Sequence, residues 1–241
     1  MRLDRLLANS GYGSRTAVKD IIRKGKVTVA GLVVTDGGYQ VEDFLQNTIT
    51  IEDSSAKVRK YLHFLLNKPS GVITALEDSR HRTIAEFIPS TLATVGLFPV
   101  GRLDIDTTGL LLLTNDGTLC HRLASPKWHV DKTYYFEISG KYLDDIDTQK
   151  LQQGLILTDG LVCKPAILEI QTPYSGMITI QEGKYHQVKR MMKALGGTIT
   201  VLERRVMGPV VLDTSLAPGE LRELSQDEIT MLYEAVGMVI E

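Results

Sequence analysis

The residues best suited to chemistry stand together in GRLDIDTTGLLLLTNDG, residues 101–117, where Arg102, Asp104 and Asp106 precede the apolar run Leu110–Leu113. An aspartate is ionised at neutral pH and can serve as nucleophile or base when it is rigidly held. Four leucines closed by Asn115, Asp116 and Gly117 predict a strand buried on both faces, which sets Asp104 just upstream of a core element. The same residues admit a plainer role, with Asp104 capping a turn or pairing with Arg102 at the rim of the sheet. Asp106 invites comparison with the paired carboxylates of glycosidases. On an extended chain it would share a side with Asp104 yet lie ~7 Å along, which predicts a structural role.

The elements that must carry this cluster fall into two groups. Leu3, Leu6 and Leu7 at helical spacing predict a short helix over residues 2–9. Ser14 is a candidate N-cap for a second helix that runs to Lys24 and stops at Gly25. Ala17, Val18, Ile21 and Ile22 give this helix its expected buried face, while Arg15, Lys19 and Arg23 recur every fourth residue as a basic stripe. KVTV and LVV around Ala30 and Gly31 predict a tight hairpin, with a further strand near Ile49. Residues 53–60, DSSAKVRK, are polar and aperiodic and predict a linker.

Beyond it, strands are predicted in YLHFLLNKP, KTYYFEIS, AILEIQT, MITIQE and TITVLERRVM, and helices in DIDTQKLQQGL and from Tyr185 to Leu195. Ser225 and Glu228 form a capping box for a last helix that turns Ile229, Leu232, Tyr233 and Val236 inward. Without regular βαβ alternation, the pattern predicts an α+β protein: a small N-terminal domain over 1–52, a linker over 53–60 and a mostly antiparallel, mixed-sheet domain over 61–241.

Of the 241 residues, 43% are hydrophobic and 23% charged, as in ordinary folded proteins. The net charge of −2 conceals an uneven distribution. Residues 1–30 carry seven basic side chains against Asp4 and Asp20, whereas residues 211–241 carry seven acidic ones against Arg222 alone. A polyanionic partner is therefore compatible with an acidic pI, since only local excess charge is needed. Cys120, Cys163 and the five histidines lack metal-ligand spacing, so no zinc site or disulfide framework is expected. The start MRLDRLLANSG lacks the apolar core of a signal peptide and no run is long enough to span a bilayer, so the cytoplasm is the expected location.

RLDRLLANSGYGSR followed by IIRKGKVTVAG resembles the RNA-binding domain named after ribosomal protein S4, over about residues 1–52. The resemblance implies that Arg15, Lys19 and Arg23 contact RNA phosphates, with Ser14 and Arg15 in the module's characteristic positions and Lys24 and Lys26 extending the basic surface. Further on, the organising string, then KTY (132–134), KPA (164–166), EGKYHQVKRM (182–191) and LAPGELREL (216–224) resemble, in order, the RsuA-type group of pseudouridine synthases.

That resemblance implies an isomerase that detaches a uridine of small-subunit (16S) ribosomal RNA at its N1–C1′ bond, rotates the base and rejoins it through C5. Asp104 would be the essential nucleophile or base, attacking C1′ or removing a ribose proton on the way to a glycal; both routes stay open. Lys189 occupies the position of a salt-bridging residue that is arginine in many relatives, with Arg190 as the alternative partner and a further RNA contact. Tyr134 would stack on the target base, Val188 would pack against it, and Arg102 would fill the gap left by the extruded uridine. His186 would touch RNA beside them. No redox cofactor, nucleotide or metal is implied, and the expected partner is ribosomal RNA in small-subunit assembly intermediates, met by a monomer with no membrane or obligate protein partner. A synthase for large-subunit (23S) RNA and a non-catalytic assembly factor are the alternatives.

Overall fold

The computed structural model describes residues 1–42 and 48–240. Two compact units are present: Met1–His63 with Ile88–Phe98 and Thr114–Asp116, and Phe64–Phe87 with Pro99–Leu113 and the chain from Gly117 onward.

In the first unit, helices α1 (Leu3–Asn9) and α2 (Arg15–Arg23) pack with strands β1 (Val27–Val29), β2 (Leu32–Val34), β3 (Ile49–Ile51) and β4 (Ser54–Ser55). The Ser14 hydroxyl accepts from the Ala17 N–H at 3.2 Å and so caps α2. Ala30 and Gly31 both take positive φ, 51° and 80°, as a two-residue turn between twisted antiparallel strands requires. Leu3, Leu6 and Leu7 meet Val18 and Ile22 in the core. The expected inner face of α2 is narrower than predicted: Ala17 is exposed and Ile21 half-buried, because only the Val18–Ile22 ridge faces the α1 leucines. The expected linker is also partly structured. Glu52 and Asp53 adopt left-handed conformations that reverse the chain, and Ser54–Ser55 pairs with β3 as the sheet's edge.

The second unit contains β5 (His63–Lys68), β6 (Phe98–Pro99) and β7 (Thr108–Thr114), apart from their terminal residues His63, Phe98 and Thr114, which fall in the first unit, together with α3 (Gly117–Ala124), β8 (Lys132–Ser139), α4 (Asp145–Gln153), β9 (Leu155–Ile156) and β10 (Val162–Cys163). After these come β11 (Ile167–Thr172), β12 (Ser175–Ile180), α5 (Gln187–Ala194), β13 (Thr198–Met207), β14 (Val210–Val211), β15 (Leu221–Glu223) and α6 (Gln226–Ala235). The main sheet runs β11-β12-β8-β13-β7-β5-β15, with β14 beside β13 and β6 beside β7. Its β13–β7 pair is parallel, whereas β11–β12, β12–β8, β13–β8, β13–β14 and β15–β5 are antiparallel, which makes the protein α+β with a mostly antiparallel mixed sheet.

The leucine run is buried on both faces: Leu110 and Leu112 join the cluster that contains Leu119, Leu123 and Leu232, while Leu111 and Leu113 are fully buried on the other side. Gly109 permits the parallel pairing. A Cβ at that residue, whose φ is +93°, would stand 2.4 Å from the Arg204 carbonyl oxygen. Ser225 and Glu228 cap α6 reciprocally, and Leu232, Tyr233 and Val236 are buried beneath it. The helix expected from Tyr185 begins only at Gln187, because His186 is held in the left-handed region with φ 49°.

Candidate active site

The carboxylate of Asp104 is presented by a turn. The Thr107 N–H donates to the Asp104 carbonyl at 3.1 Å, and the neighbouring carbonyls are gripped from below. The Lys68 ammonium, wholly buried at the end of β5, donates to the Thr107 carbonyl at 2.8 Å, to Pro69 at 3.1 Å and to Ile105 at 3.5 Å. The Gly71 N–H adds a bond to the Ile105 carbonyl at 2.8 Å. On the other flank the Thr74 hydroxyl donates to the Leu103 carbonyl at 2.7 Å and accepts from its N–H at 3.0 Å. Burial pushes the Lys68 ammonium down to about 8, against the opposing pull of Asp106 and Asp104. This lysine therefore serves as a clamp on backbone dipoles, a role its position in the Asn-Lys-Pro string does not reveal.

The turn corrects the extended geometry expected for Asp104 and Asp106. Both carboxylates converge on one ammonium: Lys189 Nζ lies 3.0 Å from Asp104 Oδ2 and hydrogen-bonds Asp106 Oδ1. Burial opposes the charge on Lys189, but the hydrogen bonds and charges of Asp106 and Asp104 prevail and raise it above its ordinary value. For Asp106 too, burial is the largest influence and works against ionisation, but the hydrogen bond and charge of Lys189, with smaller contributions from a backbone hydrogen bond and His186, together hold the carboxyl below its usual range. Asp104 is half-buried rather than enclosed, with its side chain 29% exposed, so it keeps a face open to a substrate. On its other oxygen, His186 Nε2 stands 3.5 Å from Oδ1.

Asp104, His186 and Lys189 line an open cavity shared by Arg102, Leu103, Thr107, Tyr134, Ile180, Val188 and Leu202. Its walls come from the pattern of β8 and β13. Tyr134 and Leu202 are buried inward positions, whereas Tyr135 faces the other side, where Arg205 lies over its ring at 4.2 Å. Val188 and Lys189 are supplied by the first turn of α5, and Arg102 is exposed beside the turn. The loop before α5 is tied down by buried Glu182, which accepts from the Lys164 N–H at 2.9 Å and from Gln187 Nε2 at 2.7 Å and pairs with Lys184 at 3.0 Å.

Five of the residues singled out in the sequence, Arg102, Asp104, Tyr134, Val188 and Lys189, thus share one cavity. Arg190 does not reach Asp104. Its guanidinium pairs with Asp159 in the turn between β9 and β10 and donates to the Tyr185 carbonyl at 3.4 Å, because successive residues of α5 point about 100° apart and this one turns away from Asp104. Lys68, Thr107, Glu182 and the proximity of His186 to Asp104 were not anticipated; each depends on a contact far along the chain. The helix α2 cations lie in the first unit, exposed, with Ser14 engaged as the cap. Lys19 is 3.8 Å from Asp4, Lys24 is 3.3 Å from Asp20, Arg23 also pairs with Asp20, and Lys26 pairs with Glu52. Among the described residues no three His, Cys, Asp or Glu side chains converge as a metal-holding group, and no helix is long and apolar enough to cross a membrane.

Known proteins match nearly the whole chain. Residues 62–194 match the RNA pseudouridylate synthase family and residues 1–44 match the S4 domain, and the chain belongs to the RNA pseudouridylate synthase family. It is similar to the ribosomal small subunit pseudouridine synthase A of Escherichia coli K12, with 38% identity over 95% of this chain and 98% of that protein. An uncharacterized RNA pseudouridine synthase of Bacillus subtilis, YtzG, is 45% identical over 97% of this chain and 99% of its own. A crystal structure of a pseudouridylate synthase superposes with TM-score 0.68 at 38% identity, covering 96% of this chain and 99% of that one.

Proposed function

We propose that this enzyme isomerises a uridine of small-subunit (16S) ribosomal RNA to pseudouridine in assembling particles in the cytoplasm, with Asp104 as the reacting carboxylate and residues 1–52 gripping the RNA. The observation that carries the reading is the placement of Asp104: pinned by its turn, paired on one oxygen with Lys189 at 3.0 Å and open to the cavity. The full-length similarity to enzymes named for the small ribosomal subunit supports the substrate.

In this reading the uridine leaves its stack and enters the cavity, where Tyr134 and Val188 cover its ring and Arg102 occupies the space it vacated. Asp104 then attacks C1′, or takes up a ribose proton, as the N1–C1′ bond breaks. The freed base turns so that C5 faces C1′. C5 then bonds C1′, either displacing the Asp104 carboxylate from it or adding to the glycal as Asp104 returns the ribose proton; the C5 proton is lost and N1 gains one, so substrate and product are isomers and Asp104 is regenerated. Lys189 holds Asp104 in place, and the buried walls keep the detached base from escaping. Site-resolved pseudouridine mapping of purified small-subunit and large-subunit RNA, free and in particles, tests the assignment. A single new pseudouridine in the small-subunit RNA is expected, while modification confined to large-subunit RNA overturns the substrate.

A further inference from the structure

Beside the cavity the chain presents an aromatic surface that the reaction does not use. Tyr185 is 76% exposed, and its ring stacks on the His186 imidazole with centroids 3.8 Å apart and planes 17° from parallel. The imidazole is itself held between this ring and Asp104, 3.5 Å from its Nε2. The pair is rigidly mounted: His186 sits in the left-handed region, Arg190 bonds the Tyr185 carbonyl at 3.4 Å, and Gln187 and Glu182 fasten the loop on both sides. A large aromatic ring that is backed on one face and open on the other, with Lys184 next to it on the loop and Lys189 in the first turn of α5, suits a flat, electron-rich group within a polyanion.

Resting on the RNA-modifying reading above, we propose that the outward face of Tyr185, backed by His186, is a stacking platform for an unpaired nucleobase next to the target uridine. The platform would hold the strand while its neighbour enters the cavity, and would keep His186 seated beside Asp104. Stacking needs the ring and not its hydroxyl, and it releases no counterions.

The test compares the full-length parent with Tyr185→Phe and Tyr185→Leu on a 16S ribosomal RNA transcript, with 2-aminopurine placed beside the mapped uridine. Tyr185→Leu is expected to raise Kd and KM on the order of ten-fold, with kcat within about three-fold of the parent and an unchanged slope of log Kd against log salt. Tyr185→Phe is expected to match the parent. Fluorescence should be quenched by the parent and Tyr185→Phe, and remain bright with Tyr185→Leu. Equal affinity and quenching for Tyr185→Leu, an equal loss in Tyr185→Phe, or a slope lowered by about one would each overturn the platform. If the parent binds the transcript yet makes no pseudouridine, the enzymatic reading fails separately, and the comparison of Kd values still decides the platform.

Discussion

The cations beside Asp104 and those along α2 are arranged by opposite rules. Lys189 is 22% exposed, shared by two carboxylates, and opposed across the turn by a lysine with no exposed surface. Lys19, Arg23, Lys24 and Lys26 are exposed and paired with side chains of their own unit, contacts that water and salt weaken. In the proposed reaction the first arrangement would fix the reacting carboxylate and the second would supply charge to exchange for phosphate. Tight placement is needed where bonds change, and local excess is sufficient where a polyanion is gathered.

The sharpest way to break the contrast is to remove the shared ammonium. Lys189→Met leaves Asp104 and Asp106 facing one another without a cation, and kcat/KM is expected to fall about 100-fold. Lys189→Arg should recover part of it, and full activity in the methionine variant would show that the pair is ornamental to the chemistry.

Next in size is the clamp. Lys68→Met should lower kcat on the order of ten-fold or more by loosening the turn, with RNA affinity little changed. It also carries a pH signature. Because the folded-state Lys68 is pushed down to about 8, below its unfolded value, the unfolded chain holds a proton that the folded one has released, and stability rises with pH above about 8. Urea midpoints at about pH 8 and about pH 9.5 should therefore converge in Lys68→Met, with the contribution of Lys132, likewise held at about 8 by burial, remaining. An undiminished rise would contradict the clamp.

The smallest effect belongs to the stripe. Replacing Arg15, Lys19 and Arg23 together by glutamine should weaken RNA binding and flatten its salt dependence by up to about three counterion equivalents, without altering kcat. An unchanged slope would return these residues to solvent.

How much was visible beforehand depended on the distance over which each feature is encoded. Strands β8 and β13 are found over Lys132–Ser139 and Thr198–Met207, matching the predicted KTYYFEIS and TITVLERRVM, because alternation and run length are local signals. The same holds for the Ser225 and Glu228 box and the Ala30-Gly31 hairpin. The turn at Ile105 and Asp106 was missed because Asp-Ile-Asp reads as extended on its own. It closes through Lys68, 37 residues before Ile105, and through Lys189, 83 residues after Asp106. Arg190 was offered as a partner for Asp104 from its neighbour's position alone, whereas helical rotation directs it to Asp159. Lys189 beside Asp104 could be named from the sequence by resemblance; the supports beneath them could not, since Lys68 and Thr74 act through backbone atoms brought close only by the fold.

The most direct measurement of the central claim is pseudouridine formation by Asp104→Asn on the mapped RNA, run beside its binding curve. The substitution keeps shape and removes the charge, so no pseudouridine is expected while RNA affinity changes by less than about ten-fold. Turnover retained in that variant would contradict Asp104 as the reacting carboxylate.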